Sequence, residues 1–89
     1  MTTTSPNREF LLRFGRGLKL LRVERGLSQE QLGEAASMHR TFIGVLERGE
    51  RGMNVDRLPD LARALDVEPH ELIPRRSDAR RLAELPAPG

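Results

Sequence analysis

Residues 27–49 read LSQEQLGEAASMHRTFIGVLERG, and they decide the fold. Ser28 has Gln31 three positions later, which is the spacing of a capping box, where each side chain bonds the other residue's backbone N–H. The box predicts a short helix that begins after Ser28 and runs over Gln29–Ala36. Leu32 and Ala36 lie one turn apart, so they form the buried face of this helix.

A tight turn at Ala36–Met38 separates this helix from the next one. Met38, Ile43 and Leu46 form the apolar stripe of a helix over His39–Arg48, and Gly49 ends it. Two short helices joined by a tight turn are the helix-turn-helix arrangement, in which the second helix is held by its inner face.

The outer face of this second helix carries side chains that donate or accept hydrogen bonds, or that allow close approach: His39, Arg40, Thr41, Gly44 and Val45. Such a helix fits the major groove of DNA, where the edges of the base pairs are distinguishable. The stretch therefore predicts a sequence-specific DNA-binding protein whose reading helix is His39–Arg48. For His39, two roles are open, namely capping this helix or contacting a DNA phosphate.

An amphipathic helix is predicted before this pair, over Arg8–Arg25, because its apolar residues recur at helical spacing. Gly26 stands where a helix C-terminus usually has glycine. Inside the helix, Gly15 and Gly17 are each expected to weaken it by about 1 kcal/mol relative to alanine.

Two further helices are predicted after the pair. The fourth ends at Leu65 and has Asn54 and Asp56 as alternative N-caps, of which Pro59 favours Asp56 because proline is tolerated only in the first turn. The fifth is short and spans Glu68–Ile73.

Composition excludes several other classes of protein. The 89 residues, 37% hydrophobic and 31% charged, suit one small globular domain. There is no Cys, and His39 and His70 are too far apart for metal-ligand spacing, so we expect neither a disulfide nor a metal or other cofactor. No apolar run is long enough for a membrane, and Met1–Pro6 lacks the apolar stretch of a secretion signal. We expect a cytoplasmic protein with no membrane partner.

Basic residues are concentrated in the part of the chain that carries the motif. Residues 7–52 contain nine basic and six acidic residues, whereas residues 53–89 contain six basic and seven acidic residues. The net charge of +2 is small, so the distribution favours DNA binding more than the total does.

Four segments resemble the Cro/CI-type (XRE) helix-turn-helix family of transcriptional regulators. They are Leu27–Leu32 (LSQEQL), Arg40–Ile43 (RTFI), Leu46–Gly49 (LERG) and Leu61–Leu65 (LARAL). The resemblance extends over about residues 18–73, and the stretch from His39 to Gly49 is also similar to controller proteins of restriction–modification systems. It implies an all-α fold, a compact five-helix lambda-repressor-like domain that dimerises and binds a two-fold operator in double-stranded DNA.

The resemblance also implies roles for individual side chains. Gln29 would contact a phosphate, Arg40, Thr41 and Gly44 or Val45 would meet bases, and Arg48 and Arg51 would approach the DNA backbone. Glu47 would repel DNA if it faced outward, and the family pattern implies instead that it faces inward and pairs with Arg22 as a structural pair.

Two positions depart from the family pattern. Ser37 stands at the turn position that is usually Gly, so the turn is expected to be slightly strained. Gly33 stands where the family usually has Ala, and it permits a close helix contact while loosening the helix.

A homodimer is expected because one reading helix covers only a few base pairs. That is too little to single out one site among roughly a million competitors. The predicted dimer interface is the cluster of Val67, Leu72 and Ile73 near the end of the domain. For Leu72 and Ile73, a place in the hydrophobic core is equally open.

The predicted organisation is a disordered start (residues 1–7), the DNA-binding domain (8–73) and a Pro- and Arg-rich tail (74–89). An enzyme is not expected, since Ser28 has no His or Lys at motif spacing and residues 48–52 lack the Gly-Lys-Ser/Thr ending of a phosphate-binding loop. The alternative function is an antitoxin-like or other protein-interaction module that also binds DNA. An activator of this kind would in addition contact RNA polymerase.

Overall fold

Within residues 6–75, helical periodicity in the sequence is realised as four α-helices and two short 3₁₀ helices. The computed structural model describes residues 6–75, and no strand occurs within that range. The α-helices are α1 (Pro6–Glu24), α2 (Gln29–Ala36), α3 (Arg40–Glu47) and α4 (Leu58–Leu65), and the 3₁₀ helices are Val55–Arg57 and Pro69–Leu72. The prediction of an all-α fold is confirmed for these described residues. None of the described helices is both long and apolar enough to cross a membrane.

The first helix begins earlier than predicted. The sequence predicts disorder over residues 1–7, but α1 already includes Pro6 and Asn7. Proline suits the first position of a helix because its fixed φ fits the helix and its missing N–H would have no partner there. The predicted disorder of residues 1–5 and most of the predicted tail, residues 76–89, lie outside the described residues.

Each of the four described α-helices is followed, within two positions, by a residue in the left-handed conformation, namely Gly26 (φ 71°), Ser37 (57°), Gly49 (69°) and Asp66 (58°). In each case the next residue donates its N–H to a carbonyl five positions back, as Met38 does to Gly33 at 2.8 Å, which is the Schellman motif. The strain predicted at Ser37 is confirmed, because a left-handed residue with a side chain costs about 1–2 kcal/mol.

The prediction that Asp56 caps the fourth helix is wrong. Asp56 lies inside the 3₁₀ helix Val55–Arg57, and α4 begins at Leu58. The reason is Pro59, which has no N–H to donate to the carbonyl of Val55, so that carbonyl accepts the N–H of Leu58 in a tighter turn instead.

The predicted fifth helix is a single 3₁₀ turn, Pro69–Leu72, and the count of five α-helices is not confirmed. Pro74 explains this, because a residue before proline is disfavoured in the α region. Ile73 accordingly has extended backbone, with φ −86° and ψ 127°.

The hydrophobic core joins every α-helix to the C-terminal 3₁₀ helix. Its members are Phe14, Leu18, Leu32, Ala36, Ile43, Leu46, Leu58, Leu61, Ala62, Leu65 and Leu72. Because Leu72 is only 5% exposed, its assignment to a dimer interface is corrected, and it belongs to the core of the single chain. Ile43 and Leu46 fix the inner side of α3 against α1 and α2, which leaves the opposite side of α3 free.

Two glycines let backbones approach closely around α3. A Cβ atom at Gly15 of α1 would meet the carbonyl oxygen of Leu46 and lie 2.6 Å from that of Glu47. A Cβ atom at Gly33 of α2 would meet the carbonyl oxygen of Met38. Both substitutions would press on backbone atoms that cannot move aside, so glycine at these positions sets how α3 is seated.

Candidate nucleic-acid interface

The outward side of α3 forms one continuous arc of predicted site residues. At 3.6 residues per turn, positions 40, 41, 44, 45 and 48 fall on one side of the helix. Arg40, Thr41 and the C-cap residue Arg48 are exposed, Val45 is half-buried, and Gly44 is covered by its neighbours. The arc therefore combines two guanidinium groups and a hydroxyl with a central apolar patch, formed by Gly44 and Val45, that projects little from the helix.

His39 caps the N-terminal end of α3. Its Nδ1 atom accepts a hydrogen bond of 3.0 Å from the backbone N–H of Thr41, which satisfies one of the unpaired donors of the first turn. A neutral imidazole that accepts at Nδ1 carries its proton on Nε2. Capping thus leaves an N–H donor on an exposed ring at the end of the reading helix.

A buried ion pair anchors α3 to α1. The Nε atom of Arg22 donates to Oε2 of Glu47 at 2.6 Å, and Nη2 donates to Oε1 at 3.1 Å. The Glu47 side chain is 3% exposed and that of Arg22 is 11% exposed. Arg22 also donates from Nη1 to the carbonyl of Leu27 at 2.7 Å. Glu47 therefore faces inward, and the pair implied by the family resemblance forms.

Gln29 extends this network to the outer face. Its Nε2 atom donates to Oε1 of Glu47 at 3.0 Å. The side chain lies beside Gly44, where a Cβ atom would be 3.5 Å from the Gln29 Oε1 atom and 3.1 Å from Nη1 of Arg48. Because Gly44 has no side chain, the surface of the reading helix is recessed there, between the side chains of Gln29 and Arg48.

The two arginines of the arc are each paired with a glutamate. Arg40 lies 3.4 Å from Oε2 of Glu30 in an exposed pair. Arg48 makes a two-bond contact with Glu50, from Nε to Oε2 at 2.8 Å and from Nη2 to Oε1 at 3.3 Å. This hydrogen-bonded contact lowers the pKa of Glu50 and raises that of Arg48. Neither glutamate is predictable from the sequence, because nothing in the motif distinguishes them from solvated surface charges.

Arg51 lies beyond α3, on the segment that leads to the first 3₁₀ helix. Its guanidinium carbon is 5.9 Å from the centre of the Phe42 ring, which is the range of a cation–π contact. The contact places the positive charge of Arg51 at the edge of the α3 surface.

Arg57 stabilises the turn between α2 and α3, a role that the sequence analysis missed. Its Nη2 atom donates to the carbonyl of Ser37 at 3.0 Å and to that of Ala36 at 3.4 Å. Nε donates to Asp60 at 3.1 Å, and this hydrogen bond is the main reason that the pKa of Asp60 is lowered. The i,i+3 spacing of Arg57 and Asp60 indicates that the two side chains pair. It does not indicate that Arg57 also contacts the turn, because the turn lies about twenty positions earlier in the sequence.

The three residues of the predicted dimer interface differ in their solvent exposure. Ile73 is 39% exposed and Val67 is half-buried, whereas Leu72 is in the core. Ile73 lines a surface cavity together with Gly17 of α1. Leu20, one turn after Gly17, is 59% exposed. Arg13, Glu71 and Arg75 also line this cavity, so the surface around Ile73 is partly charged.

Comparison with known proteins agrees with this geometry. A family model described as a helix-turn-helix domain matches residues 13–73. The chain is 35% identical over 63 residues to control protein C.BamHI of Bacillus amyloliquefaciens, covering 70% of this chain and 78% of that protein. It is 46% identical over 50 residues to control protein C.SmaI of Serratia marcescens, covering 56% of this chain and 60% of that protein.

A solved structure gives the same relationship. The restriction–modification controller protein C.AhdI from Aeromonas hydrophila is 43% identical and superposes with a TM-score of 0.69, over 71% of this chain and 96% of that one. These relatives are control proteins, and the chain is accordingly a DNA-binding regulator rather than an enzyme. The chain belongs to the Cro/CI-type (XRE) helix-turn-helix family of transcriptional regulators, and restriction–modification controller proteins are among its relatives.

Proposed function

We propose that this protein regulates transcription as a homodimer that binds a two-fold operator, with α3 of each copy in the major groove. The observation that carries the proposal is the division of α3 into a buried inner side and an outer arc of Arg40, Thr41 and Arg48. A helix held in this way has a fixed orientation, which direct readout of base edges requires.

Within this proposal the side chains have separate tasks. Arg40 and Thr41, with Gly44 or Val45, meet base edges, while Gln29, His39 and Arg51 position the domain on the DNA backbone. Arg48 contacts either the backbone or a base edge. The relatives named as control proteins support a controller role within a restriction–modification system. The neighbouring genes are then expected to encode a DNA methyltransferase and an endonuclease.

Replacing Arg40 tests whether the arc reads bases. Arg40→Ala is expected to weaken binding to an operator selected from random duplexes by about five- to 150-fold, the equivalent of 1–3 kcal/mol for a good bidentate base contact. Binding to scrambled DNA is expected to change much less, and the helical circular dichroism should be unchanged.

Arg63→Ala is the matched control, because Arg63 is an exposed arginine on α4, paired only with Asp60 among the described residues. Fluorescence anisotropy at one fixed salt concentration gives all of these affinities. Equal losses on operator and scrambled DNA for Arg40→Ala would show that Arg40 contacts only the backbone.

Replacing Ile73 tests the homodimer. Ile73→Asp is expected to give a folded monomer that occupies single half-sites weakly, because a charge replaces an exposed apolar side chain that the dimer would bury. Sedimentation measures the oligomeric state and circular dichroism measures the fold.

Leu72→Asp provides the contrast, since Leu72 is buried in the core and its replacement is expected to unfold the chain. A wild-type protein that stays monomeric at tens of micromolar would contradict the proposed dimer. An Ile73→Asp variant that still dimerises would place the interface elsewhere.

A further inference from the structure

The pair of Arg48 and Glu50 has a geometry that goes beyond simple charge neutralisation. Glu50 bonds the side of the guanidinium formed by Nε and Nη2, at 2.8 and 3.3 Å. This leaves the end-on edge, formed by Nη1 and the second hydrogen of Nη2, without a partner from Glu50. An end-on guanidinium edge offers two parallel N–H groups to a pair of acceptor atoms.

Gly44 supplies the surface on which this guanidinium rests. A Cβ atom at Gly44 would be 3.1 Å from Nη1 of Arg48, so the side chain folds back along α3 over the bare backbone of Gly44. The guanidinium therefore lies on the reading arc itself, beside Gln29, instead of extending from the end of the helix into solvent.

Glu50 is itself held near the start of α1. The hydrogen bond from Arg48 is the main cause of its lowered pKa, and the positive charge of Arg8 lowers that pKa further. Arg8 also donates to the carbonyl of Gly49 at 3.3 Å. The hydrogen bonds of the carboxylate are those from Arg48, and the charge of Arg8 at the start of α1 lies close enough to favour its ionised form.

The pair contributes little to the stability of the fold. Its side chains are 57% and 51% exposed, and exposed ion pairs are weak because water and salt screen them. Its main effect is to restrict the rotamers of a long side chain. Binding that would otherwise have to order that side chain is favoured when the order already exists.

We propose that Glu50 is a positioning residue: it holds Arg48 over Gly44 so that the end-on edge of the guanidinium meets a pair of acceptor atoms on operator DNA. The inference rests on the proposed function. The acceptor pair is either O6 and N7 of a guanine or two oxygens of one phosphate, since both have the spacing that this edge matches.

A double-mutant cycle on the selected operator tests the proposal. Preorganising one long side chain is worth about two- to tenfold in affinity. Glu50→Ala should therefore weaken operator binding about two- to tenfold more when residue 48 is arginine than when it is already alanine. Binding to scrambled DNA should hold or increase, because one carboxylate that repels phosphates is removed. Glu50→Gln, which keeps one acceptor oxygen, should recover part of the operator affinity.

Glu34→Ala is the matched control. Glu34 is an exposed carboxylate beside the start of α3, and no ion pair holds it among residues 6–75. Its replacement should change the affinities for operator and for scrambled DNA by the same factor. The variants of Glu50 and Arg48 should keep the wild-type melting temperature, since both residues are exposed.

The outcomes separate this proposal from the proposed function. A wild-type protein without operator preference contradicts the proposed function. If the wild-type protein prefers the operator but the effects of replacing Arg48 and Glu50 on operator affinity are independent, the positioning role is overturned. It is also overturned if Glu50→Ala strengthens operator binding and does so only when Arg48 is present. Given coupling, relaxed specificity at one base pair in Arg48→Ala identifies a guanine, and a salt dependence reduced by about one charge with unchanged specificity identifies a phosphate.

Discussion

Replacing Glu47 by alanine is expected to lower the free energy of unfolding by about 3–5 kcal/mol, the usual cost of leaving one partner of a buried ion pair alone. Arg22 would keep only its bond to the carbonyl of Leu27 among its present partners, and its guanidinium would remain largely enclosed. Gln29 would lose its acceptor as well. This loss is comparable with the whole stability of many small domains, and urea unfolding monitored by circular dichroism measures it.

The control for Glu47→Ala is an apolar replacement of both partners. The double variant Arg22→Met with Glu47→Leu should recover most of the lost stability, because no unpaired charge is left in the interior. If Glu47 faced the DNA instead, Glu47→Ala would strengthen binding and leave the melting temperature unchanged. That outcome would contradict the inward orientation of this side chain.

Replacing Gly15 by alanine is expected to destabilise the fold by about 1–3 kcal/mol or more, the range for inserting atoms into a packed interior. The added methyl group would collide with the carbonyl oxygens of Leu46 and Glu47, which belong to the backbone of α3. The strain would be relieved only by moving α3 away from α1. We therefore expect operator affinity to fall together with stability.

Gly17 is the matched control in the same helix. A Cβ atom there would meet nothing within 4 Å, so Gly17→Ala should stabilise α1 by about 1 kcal/mol through helix propensity alone. We expect thermal or urea unfolding to show that Gly17→Ala raises the free energy of unfolding and that Gly15→Ala lowers it. Two variants that stabilise equally would mean that α1 and α3 do not approach closely at Gly15.

The helix-turn-helix was predictable because local signals agree with each other there. The capping box predicts the start of α2, and its observed bounds, Gln29–Ala36, are those predicted. The predicted reading helix differs from α3 only in its two end residues, His39 and Arg48, which serve as the caps. Apolar spacing alone was sufficient for the core positions of both helices.

The predictions failed where tertiary contacts or proline geometry decide the outcome. Gly15 looks like a weakness in a helix sequence, and only the packing of α1 on α3 shows that a side chain has no room there. Asp56 has the chemistry of a cap, but Pro59 forces a tighter turn before α4. Leu72 was equally compatible with core or interface, and its burial depends on how the chain returns to α4.

The two glutamates that pair with arginines of the arc, Glu30 and Glu50, could not be predicted from the sequence for a similar reason. Glu30 is ten positions from Arg40, so only the angle between α2 and α3 brings them together. Glu50 is two positions from Arg48, a spacing that gives no contact on a regular helix. The pair forms because the backbone turns at Gly49.

Methylation interference on the selected operator tests most directly whether α3 reads bases in the major groove of a two-fold site. Methyl groups on guanine N7 lie in the major groove and those on adenine N3 lie in the minor groove. We predict that N7 methylation blocks binding in two symmetric clusters centred about 34 Å apart, one turn of DNA. Interference confined to adenine N3, or a single cluster without symmetry, would contradict it.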